Sequence, residues 1–228
     1  MPKIILRKKI PTKKEMKDIK PIAIVKGEKN KFHNQLLCID TRDNHKAQGV
    51  ESIEIPDENC FQILPDCDKD KRSIYYIAGA SGSGKSYIAR TIADNYKKLY
   101  PDRRIYVISK LDKDETLDAM KEPPIRLQYQ ELVENPIDIN AFSNSLVIFD
   151  DYDTIEGKAG LAVHSLINDI AIMGRKHHDG QGCISMLCLT HHITNYKKTR
   201  LILNEASHFV VYPQATSTHA LTYLLKTH

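Results

Sequence analysis

The sequence predicts an α/β protein with a mostly parallel central sheet that is flanked by helices. From residue 73 onward, short and almost continuously apolar strands alternate with helical patterns, which is typical of a parallel sheet covered on both faces. The first of these strands runs directly into a glycine-rich loop, residues 79–86, and a helical pattern follows the loop. Shorter β-leaning segments precede residue 73, so short N-terminal strands are expected beside the main sheet.

The glycine-rich loop, Gly-Ala-Ser-Gly-Ser-Gly-Lys-Ser, fits the pattern G-x-x-x-x-G-K-[ST] of phosphate-binding loops. Glycines let the backbone N–H groups point at phosphate oxygens, and the following helix adds its positive N-terminal dipole. Lys85 would reach the β- and γ-phosphates of ATP, and the Ser86 hydroxyl would ligate Mg²⁺. A flexible Gly/Ser linker is the alternative, but the flanking strand and helix argue against it. The residues expected to bind the nucleotide are Gly79, Ala80, Ser81, Gly82, Ser83, Gly84, Lys85, Ser86 and Tyr87.

The core elements follow the loop in a regular alternation. The strands are apolar and bounded by polar residues, and the helices repeat apolar residues every three or four positions. The predicted strands are 73–78, 104–109, 125–128, 145–151, 183–190 and 208–212, and the predicted helices are 84–98, 129–133, 157–173, 197–204 and one that begins at 216. This last pattern reaches His228 without a capping signal, so we expect that a C-terminal portion is missing.

The bulk composition is that of a soluble globular protein with one good core. The 228 residues are 41% hydrophobic and 27% charged, values that argue against a disordered or fibrous chain. No apolar run approaches the length of a transmembrane segment or forms the core of a signal peptide. Five cysteines without a C-x-x-C pair indicate reduced thiols in a cytosol-like compartment.

Charge is distributed unevenly along the chain. Residues 1–31 carry eleven Lys/Arg against three Asp/Glu, a surplus of 8, so the remainder carries 4 − 8 = −4. We interpret residues 1–31 as a basic arm with little structure, which either contacts a polyanion or is a disordered solubilising tail. Residues 32–72 would form a short β-rich segment packed on the core, with strands at 35–40, 52–55 and 60–64. The ATP-binding core would then span residues 73–228.

Two carboxylates end the strand 145–151. Asp150 is expected to hold Mg²⁺ through a water, and Asp151 beside it can orient and deprotonate an attacking water. This pair favours hydrolysis over phosphoryl transfer to a small acceptor. The alternative is that Asp151 caps the turn towards Asp153.

The following strand ends in Leu-Thr-His-His, residues 189–192. Since the carboxyl ends of strands face the ligand crevice in doubly wound sheets, Thr190 or His191 could sense the γ-phosphate. The histidine pairs at 177–178 and 191–192 are also potential zinc ligands. Adjacent strand residues point to opposite faces, however, and no cysteine lies at finger spacing, so zinc is disfavoured.

Two arginines could neutralise charge that develops on the γ-phosphate, from the same subunit or from a neighbour. These are Arg175 and Arg200, and the alternative for each is a solvated surface cation. Arg175 ranks first, because Gly174 before it and Lys-His-His after it indicate an exposed turn.

The order of these motifs resembles the DNA-packaging ATPases of poxviruses and giant viruses, which belong to the FtsK–HerA superfamily. The likeness spans about residues 73–225 and rests on segments 79–86, 146–151, 174–177, 189–191 and 200–212. It implies a RecA-like ATPase core that forms a homo-oligomeric ring and pumps double-stranded DNA into a capsid.

The same resemblance implies further partners, a location and residue roles. A capsid or membrane protein at the packaging portal would be a partner, and the protein would act in the host cytoplasm (the virus factory) and in the virion. Lys85 and Ser86 would bind phosphate and Mg²⁺, Asp150 would bind Mg²⁺, and Asp151 would activate water. The family usually has glutamine after the sensor threonine, where this chain has His191, whose imidazole can also donate to a phosphate oxygen.

Two other function classes remain open. A phosphate-loop kinase acting on a nucleotide or a polynucleotide end would need an acceptor pocket and an arginine-bearing lid, and no segment clearly supplies them. A nucleotide-gated assembly protein would keep the loop but would not need Asp151.

Overall fold

The computed structural model describes residues 3–26, 31–42, 60–177, 181–193, 196–212 and 217–227. The chain divides into two compact units, Met1–Lys69 and Asp70–His228. The first unit contains a four-stranded sheet and the second a six-stranded sheet. Within the residues described, no helix has the length and apolar character needed to span a bilayer.

The N-terminal unit is built on antiparallel strands. They are β1 (Lys3–Arg7), β2 (Ile19–Lys26), β3 (Leu36–Asp40) and β4 (Cys60–Ile63), arranged in the order β1-β3-β2-β4. The predicted strands 35–40 and 60–64 are confirmed as β3 and β4. The predicted strand 52–55 lies outside the described residues, and the packing of this layer on the core stays a prediction.

Residues 1–31 were expected to form an arm with little structure, and this is wrong for the described part of the segment. Both β1 and β2 lie in it, and both pair with β3. The strand β2 forms because Ile19, Ala23 and Val25 are buried and because β3 and β4 pair with it on its two sides. The strand tolerates Pro21 because the register shifts between Pro21 and Ala23, where the ladder is already interrupted.

The C-terminal unit contains the parallel strands and the α-helices of the described residues. In chain order, its elements are β5 (Ile74–Ala78), α1 (Lys85–Leu99), β6 (Ile105–Ser109), β7 (Ile125–Gln128), α2 (Glu131–Glu134), β8 (Leu146–Phe149), α3 (Gly157–Met173), β9 (Ser185–Thr190), α4 (Tyr196–Glu205), β10 (His208–Val211) and α5 (Thr218–Thr227). The sheet order is β10-β5-β9-β8-β6-β7, and every pair is parallel. The predicted α/β class with a parallel sheet is therefore confirmed.

The sheet forms the core of this unit. The strands β5, β6, β8 and β9 are buried at every position, which explains their unbroken apolar sequences. The strand β9 begins two residues later than expected, because Gly182 and Cys183 adopt left-handed backbone with φ of 84° and 55°.

All six strands point the same way, so their ends define two opposite edges of the sheet. We call the edge where the strands end the carboxyl edge; it carries Gly79, Ser109, Asp150, His191 and Tyr212. The edge where they begin is the amino edge, and it carries Arg72 and Cys183. Ligands of open parallel sheets bind outside the carboxyl edge, and the phosphate-binding loop leaves the sheet there.

Candidate active site

The phosphate-binding loop turns by means of two glycines. Gly82 and Gly84 have φ of 74° and 97°, a left-handed backbone that glycine adopts without penalty. Gly79 has a different reason to be glycine: a Cβ there would lie 2.6 Å from Ser83 Oγ and 2.7 Å from the ring of Tyr212. The helix α1 then begins, and its first turn closes with the bond from Ile88 N to the Gly84 carbonyl.

Lys85 is buried although it is a lysine, with 6% of its surface exposed. Its ammonium donates to the carbonyls of Gly79 at 3.0 Å and Ala80 at 3.4 Å. It also lies 3.5 Å from Asp151 Oδ1 and 3.5 Å from His191 Nδ1. The loop and the ends of two strands therefore converge on one positive charge.

Asp150 is a buried carboxyl group at the end of β8. Ser109, the last residue of β6, donates its hydroxyl to Asp150 Oδ2 at 2.9 Å. Burial, and then the charge of Asp151, raise the pKa of Asp150 from 3.8 to about 6, while the Ser109 bond and Lys85 oppose the rise. Such a carboxyl group holds its charge best when a cation is bound nearby.

Asp151 reaches the site through an unusual backbone. Its φ of 44° is left-handed, a conformation that aspartate tolerates better than most residues do. Its carbonyl accepts the turn bonds from Thr154 N and Thr154 Oγ1, and its side chain makes no cap bond. The capping alternative is therefore not what the structure contains: the carboxylate faces Lys85 and His191 instead.

His191 bridges the lysine and the carboxylate. Its Nε2 lies 3.1 Å from Asp151 Oδ2, and its Nδ1 faces the ammonium of Lys85. An ammonium can only donate, so Nδ1 is the acceptor and Nε2 carries the proton that is donated to Asp151. Thr190 does not share this position, because it is fully buried and its hydroxyl donates to Asp153 Oδ2 at 2.8 Å.

Three residues of this edge were not assigned a role from the sequence. Asp153 ties the turn after β8 to the end of β9, because its Oδ2 also accepts from the His191 backbone N–H at 3.0 Å. Ser109 supports Asp150, and Tyr212 lies against the phosphate-binding loop. For Ser109 the signal was a polar residue at the end of an apolar strand, whereas Asp153 lies in the turn after β8, whose left-handed backbone at Asp151 no local pattern reveals. The contact of Tyr212 depends on the pairing of β10 with β5, which no local pattern reveals.

The structure does not bring the arginines into this cluster. Arg175 lies on the amino edge, exposed, and its guanidinium is 3.3 Å from Glu205. Arg200 is exposed near the middle of α4. Tyr87 lies in the first turn of α1, 66% exposed. Roles in catalysis or nucleotide binding for these three side chains stay predictions.

The oxygen donors at this edge suit a small, hard cation. The Ser86 hydroxyl and the Asp150 carboxylate are the donor types that Mg²⁺ takes, and Mg²⁺ usually needs only one or two protein ligands beside phosphate and water. In the described parts of the chain, no three His, Cys, Asp or Glu side chains gather into a metal site. His178, one of the histidines considered for zinc, lies outside those parts.

Solved structures that resemble the chain include nucleotide-binding proteins. The DNA-packaging ATPase B204 of Sulfolobus Turreted Icosahedral Virus is 14% identical, with 69% of this chain and 82% of that chain covered and a TM-score of 0.44. The pCW3 conjugation coupling protein TcpA, solved with ATPγS, is 13% identical, with 90% and 69% covered and a TM-score of 0.47. A viral packaging ATPase and a coupling protein are thus both among the proteins that this chain resembles.

Sequence comparison gives a nearer relative. No family model matches the chain. The uncharacterized protein V3 of Sputnik virophage is 32% identical over 216 residues, which cover 92% of this chain and 80% of that protein. At this identity and coverage, the chain belongs to the same family as protein V3 of Sputnik virophage.

Proposed function

We propose that this chain is an ATP-hydrolysing motor that translocates double-stranded DNA and packages a viral genome into a capsid. The observation that carries the proposal is the position of Asp151, whose carboxylate lies 3.5 Å from the ammonium of Lys85. Lysine at this point of a phosphate-binding loop binds the β- and γ-phosphates. A carboxylate beside it is therefore close to where a water would attack the γ-phosphate.

Each part of the site has a separate role in this proposal. The backbone N–H groups and the lysine of the loop 79–86 bind the triphosphate. Ser86 and Asp150 would hold Mg²⁺, which would supply positive charge against the β- and γ-phosphates. Asp151 orients the water and takes its proton, and it is accessible enough to do so, with 37% of its side chain exposed. His191 donates to Asp151 and fixes the direction of that carboxylate.

The biological setting rests on the order of the motifs and on the viral relative. The motif order is similar to that of viral DNA-packaging ATPases, and the family includes a virophage protein. In this setting the chain assembles as a homo-oligomeric ring around duplex DNA and meets a capsid or membrane protein at the packaging portal. It acts in the virus factory of the host cytoplasm and in the virion.

The test is phosphate release from ATP, measured with and without linear duplex DNA. Lys85→Ala should abolish nucleotide binding, because the point charge on the phosphates is lost. Asp151→Asn should keep binding and lower turnover by roughly 10²–10⁴-fold, the usual contribution of a general base. Glu156→Gln is the matched control, since it neutralises an exposed carboxylate close to Asp151 in sequence that makes no cap bond.

Two outcomes would contradict parts of the proposal. Normal turnover by Asp151→Asn would show that Asp151 is not the base. Transfer of the γ-phosphate to a nucleoside or to a polynucleotide end, in place of its release to water, would identify a kinase.

A further inference from the structure

The connection between β1 and β2 concentrates positive charge on the N-terminal unit. We call residues 8–18 the lysine loop; its lysines are Lys8, Lys9, Lys13, Lys14 and Lys17, and all five are exposed. Its acidic residues are Glu15 and Asp18. Among the described residues, no carboxylate forms an ion pair with Lys8, Lys9, Lys14 or Lys17.

The lysine loop is folded by a reciprocal cap. The Thr12 N–H and hydroxyl donate to Glu15 Oε2 at 2.8 and 2.9 Å, and the Glu15 N–H approaches Thr12 Oγ1 at 3.4 Å. The Met16 N–H donates to the Thr12 carbonyl at 2.9 Å. At the end of the loop, the Asp18 carbonyl accepts from the backbone and the hydroxyl of Thr41. The lysines are therefore presented from an ordered backbone.

The carboxylate of Glu15 does not offset the lysines, because it is engaged by other groups. Arg7 donates to Glu15 Oε1 at 2.9 Å, while Thr12 occupies the second oxygen. The hydrogen bonds from the Thr12 backbone and hydroxyl, and then from Arg7, hold the pKa of Glu15 near 2. Glu15 therefore stabilises the backbone of the lysine loop, while the five lysines are exposed to solvent.

We infer that the lysine loop is a contact surface for the phosphate backbone of duplex DNA. Lysine ammonium groups bind phosphates as point charges and carry no sequence information. An ordered backbone lowers the entropy lost on binding, so a folded lysine cluster binds a polyanion better than a free tail of the same charge.

Two features of the loop select a duplex among polyanions. Residues 8–18 contain no aromatic side chain on which unpaired bases could stack, which disfavours single strands. Its exposed large apolar residue is Ile10, and one isoleucine is too small an apolar face to anchor the loop in a lipid surface. The choice of DNA over other duplexes rests on the proposed function; the phosphate contact itself does not.

The experiment compares the salt dependence of duplex DNA binding by the full chain and by Lys8/Lys9/Lys14→Gln. Each lost phosphate contact should make the plot of log K against log salt shallower by about 0.9, or up to about 2.7 for three contacts. Affinity near physiological salt should fall roughly tenfold or more. The matched control is Lys113/Lys121/Lys226→Gln, which removes three exposed lysines of the C-terminal unit and should leave the slope unchanged.

A second variant separates shape from charge. Thr12→Ala removes the hydroxyl that closes the cap and changes no charge. We expect weaker duplex binding at an unchanged salt slope, with the thermal midpoint of the chain recorded to exclude global unfolding. Equal affinity of Thr12→Ala and the unaltered chain would mean that loop order plays no part.

Failure of this inference is distinguishable from failure of the proposed function. An unaltered chain that binds duplex, with a slope that the three loop substitutions do not change, overturns the inference alone. A reduced slope in a chain that never hydrolyses ATP keeps the inference and overturns the motor. Binding to phosphatidylserine vesicles but not to duplex would overturn the inference and assign the loop to a membrane surface.

Discussion

Asp150 illustrates a conflict between stability and the proposed chemistry at a single residue. The group is 4% exposed, and its pKa is about 6 rather than 3.8, mainly because burial penalises the charged form. Near neutral pH the folded chain therefore holds a buried ionised group, and this ionisation lowers the stability of the fold relative to the unfolded chain. A cation ligand requires that ionised form, so the position favours function over stability.

We expect Asp150→Asn to raise the free energy of unfolding at pH 8 by about 1–3 kcal/mol, since each pKa unit corresponds to about 1.4 kcal/mol. The folded pKa lies above the unfolded value, so the gain is complete above about pH 6, is lost as the pH falls from about 6 towards 3.8, and is absent below 3.8. Urea unfolding at pH 8 and near pH 4, without Mg²⁺, measures it. Glu134→Gln, at an exposed position, should change stability by less than about 0.5 kcal/mol. An equal gain for Asp150→Asn at both pH values would rule out the buried charge as its source.

At the scale of elements, the end of α3 is held by a residue from outside the helix. Arg72, which precedes β5, donates to the carbonyls of Ile170 and Ala171, the latter at 2.6 Å. These are among the last carbonyls of α3; that of Ile170 also accepts from the Gly174 N–H at 2.9 Å, and a positive charge there complements the helix dipole. Gly174 makes room for this contact, because a Cβ there would lie 3.0 Å from Arg72 Nη1. Gly174, which in the sequence indicated an exposed turn, therefore caps the end of α3 and leaves space for Arg72.

Replacing Arg72 should therefore loosen α3 from β5. We expect Arg72→Leu to lower the free energy of unfolding by roughly 2–4 kcal/mol, because buried carbonyls lose charged donors. Lys176→Gln on the same edge removes only a partly exposed ion pair with Asp70 and should cost less than about 1 kcal/mol. Urea denaturation of both variants checks the difference, and similar losses would contradict the capping role.

Local sequence patterns were sufficient for the elements of the C-terminal unit but only in part for the N-terminal one, where β3 and β4 were predicted and β1 and β2 were not. The strands of the parallel sheet are buried on both faces, so their apolar runs are unambiguous. In contrast, β2 mixes Ile19, Ala23 and Val25 with lysines and Pro21, and its identity depends on pairing with β3. Strand formation depends more on such context than helix formation does.

The candidate site was predictable to a similar extent, for the same reason. The loop glycines and the residues at strand ends, Asp150 and Asp151, follow from local pattern. The contacts of Tyr212 and Asp153 arise from strand order and from a left-handed turn, which no local pattern encodes.

At the scale of the whole molecule, a ring would place an arginine of one subunit at the site of the next. The sequence ranked Arg175 ahead of Arg200, but Arg175 lies at the amino edge and pairs with Glu205. The helix α4 runs from the carboxyl end of β9 back towards the start of β10. Arg200, near the middle of this helix, is therefore closer to the carboxyl edge, which carries Lys85, than Arg175 is. We therefore rank Arg200 first.

We expect Arg200→Ala to lose turnover by roughly 10³-fold or more, the contribution of such an arginine in phosphate-loop enzymes. Mixing Arg200→Ala with inactive Asp151→Asn subunits should restore ATPase activity, because a site with intact carboxylates can then borrow a neighbour's arginine. Arg175→Ala is the matched control and should hydrolyse ATP normally. Mixtures that exchange subunits and stay inactive would exclude a shared site built on Arg200.

The sheet order also sets the spacing of the candidate site residues at the carboxyl edge. The strands β5 and β8 are not neighbours, since β9 lies between them. Strands in a sheet are about 4.8 Å apart, so the loop after β5 and the carboxylates after β8 emerge about 9.6 Å from each other. The intervening strand β9 therefore separates the phosphate-binding loop from the carboxylates, and its last residue, followed by His191, lies between them. The side chains of Lys85 and Asp151 span this separation, since their charged atoms lie 3.5 Å apart.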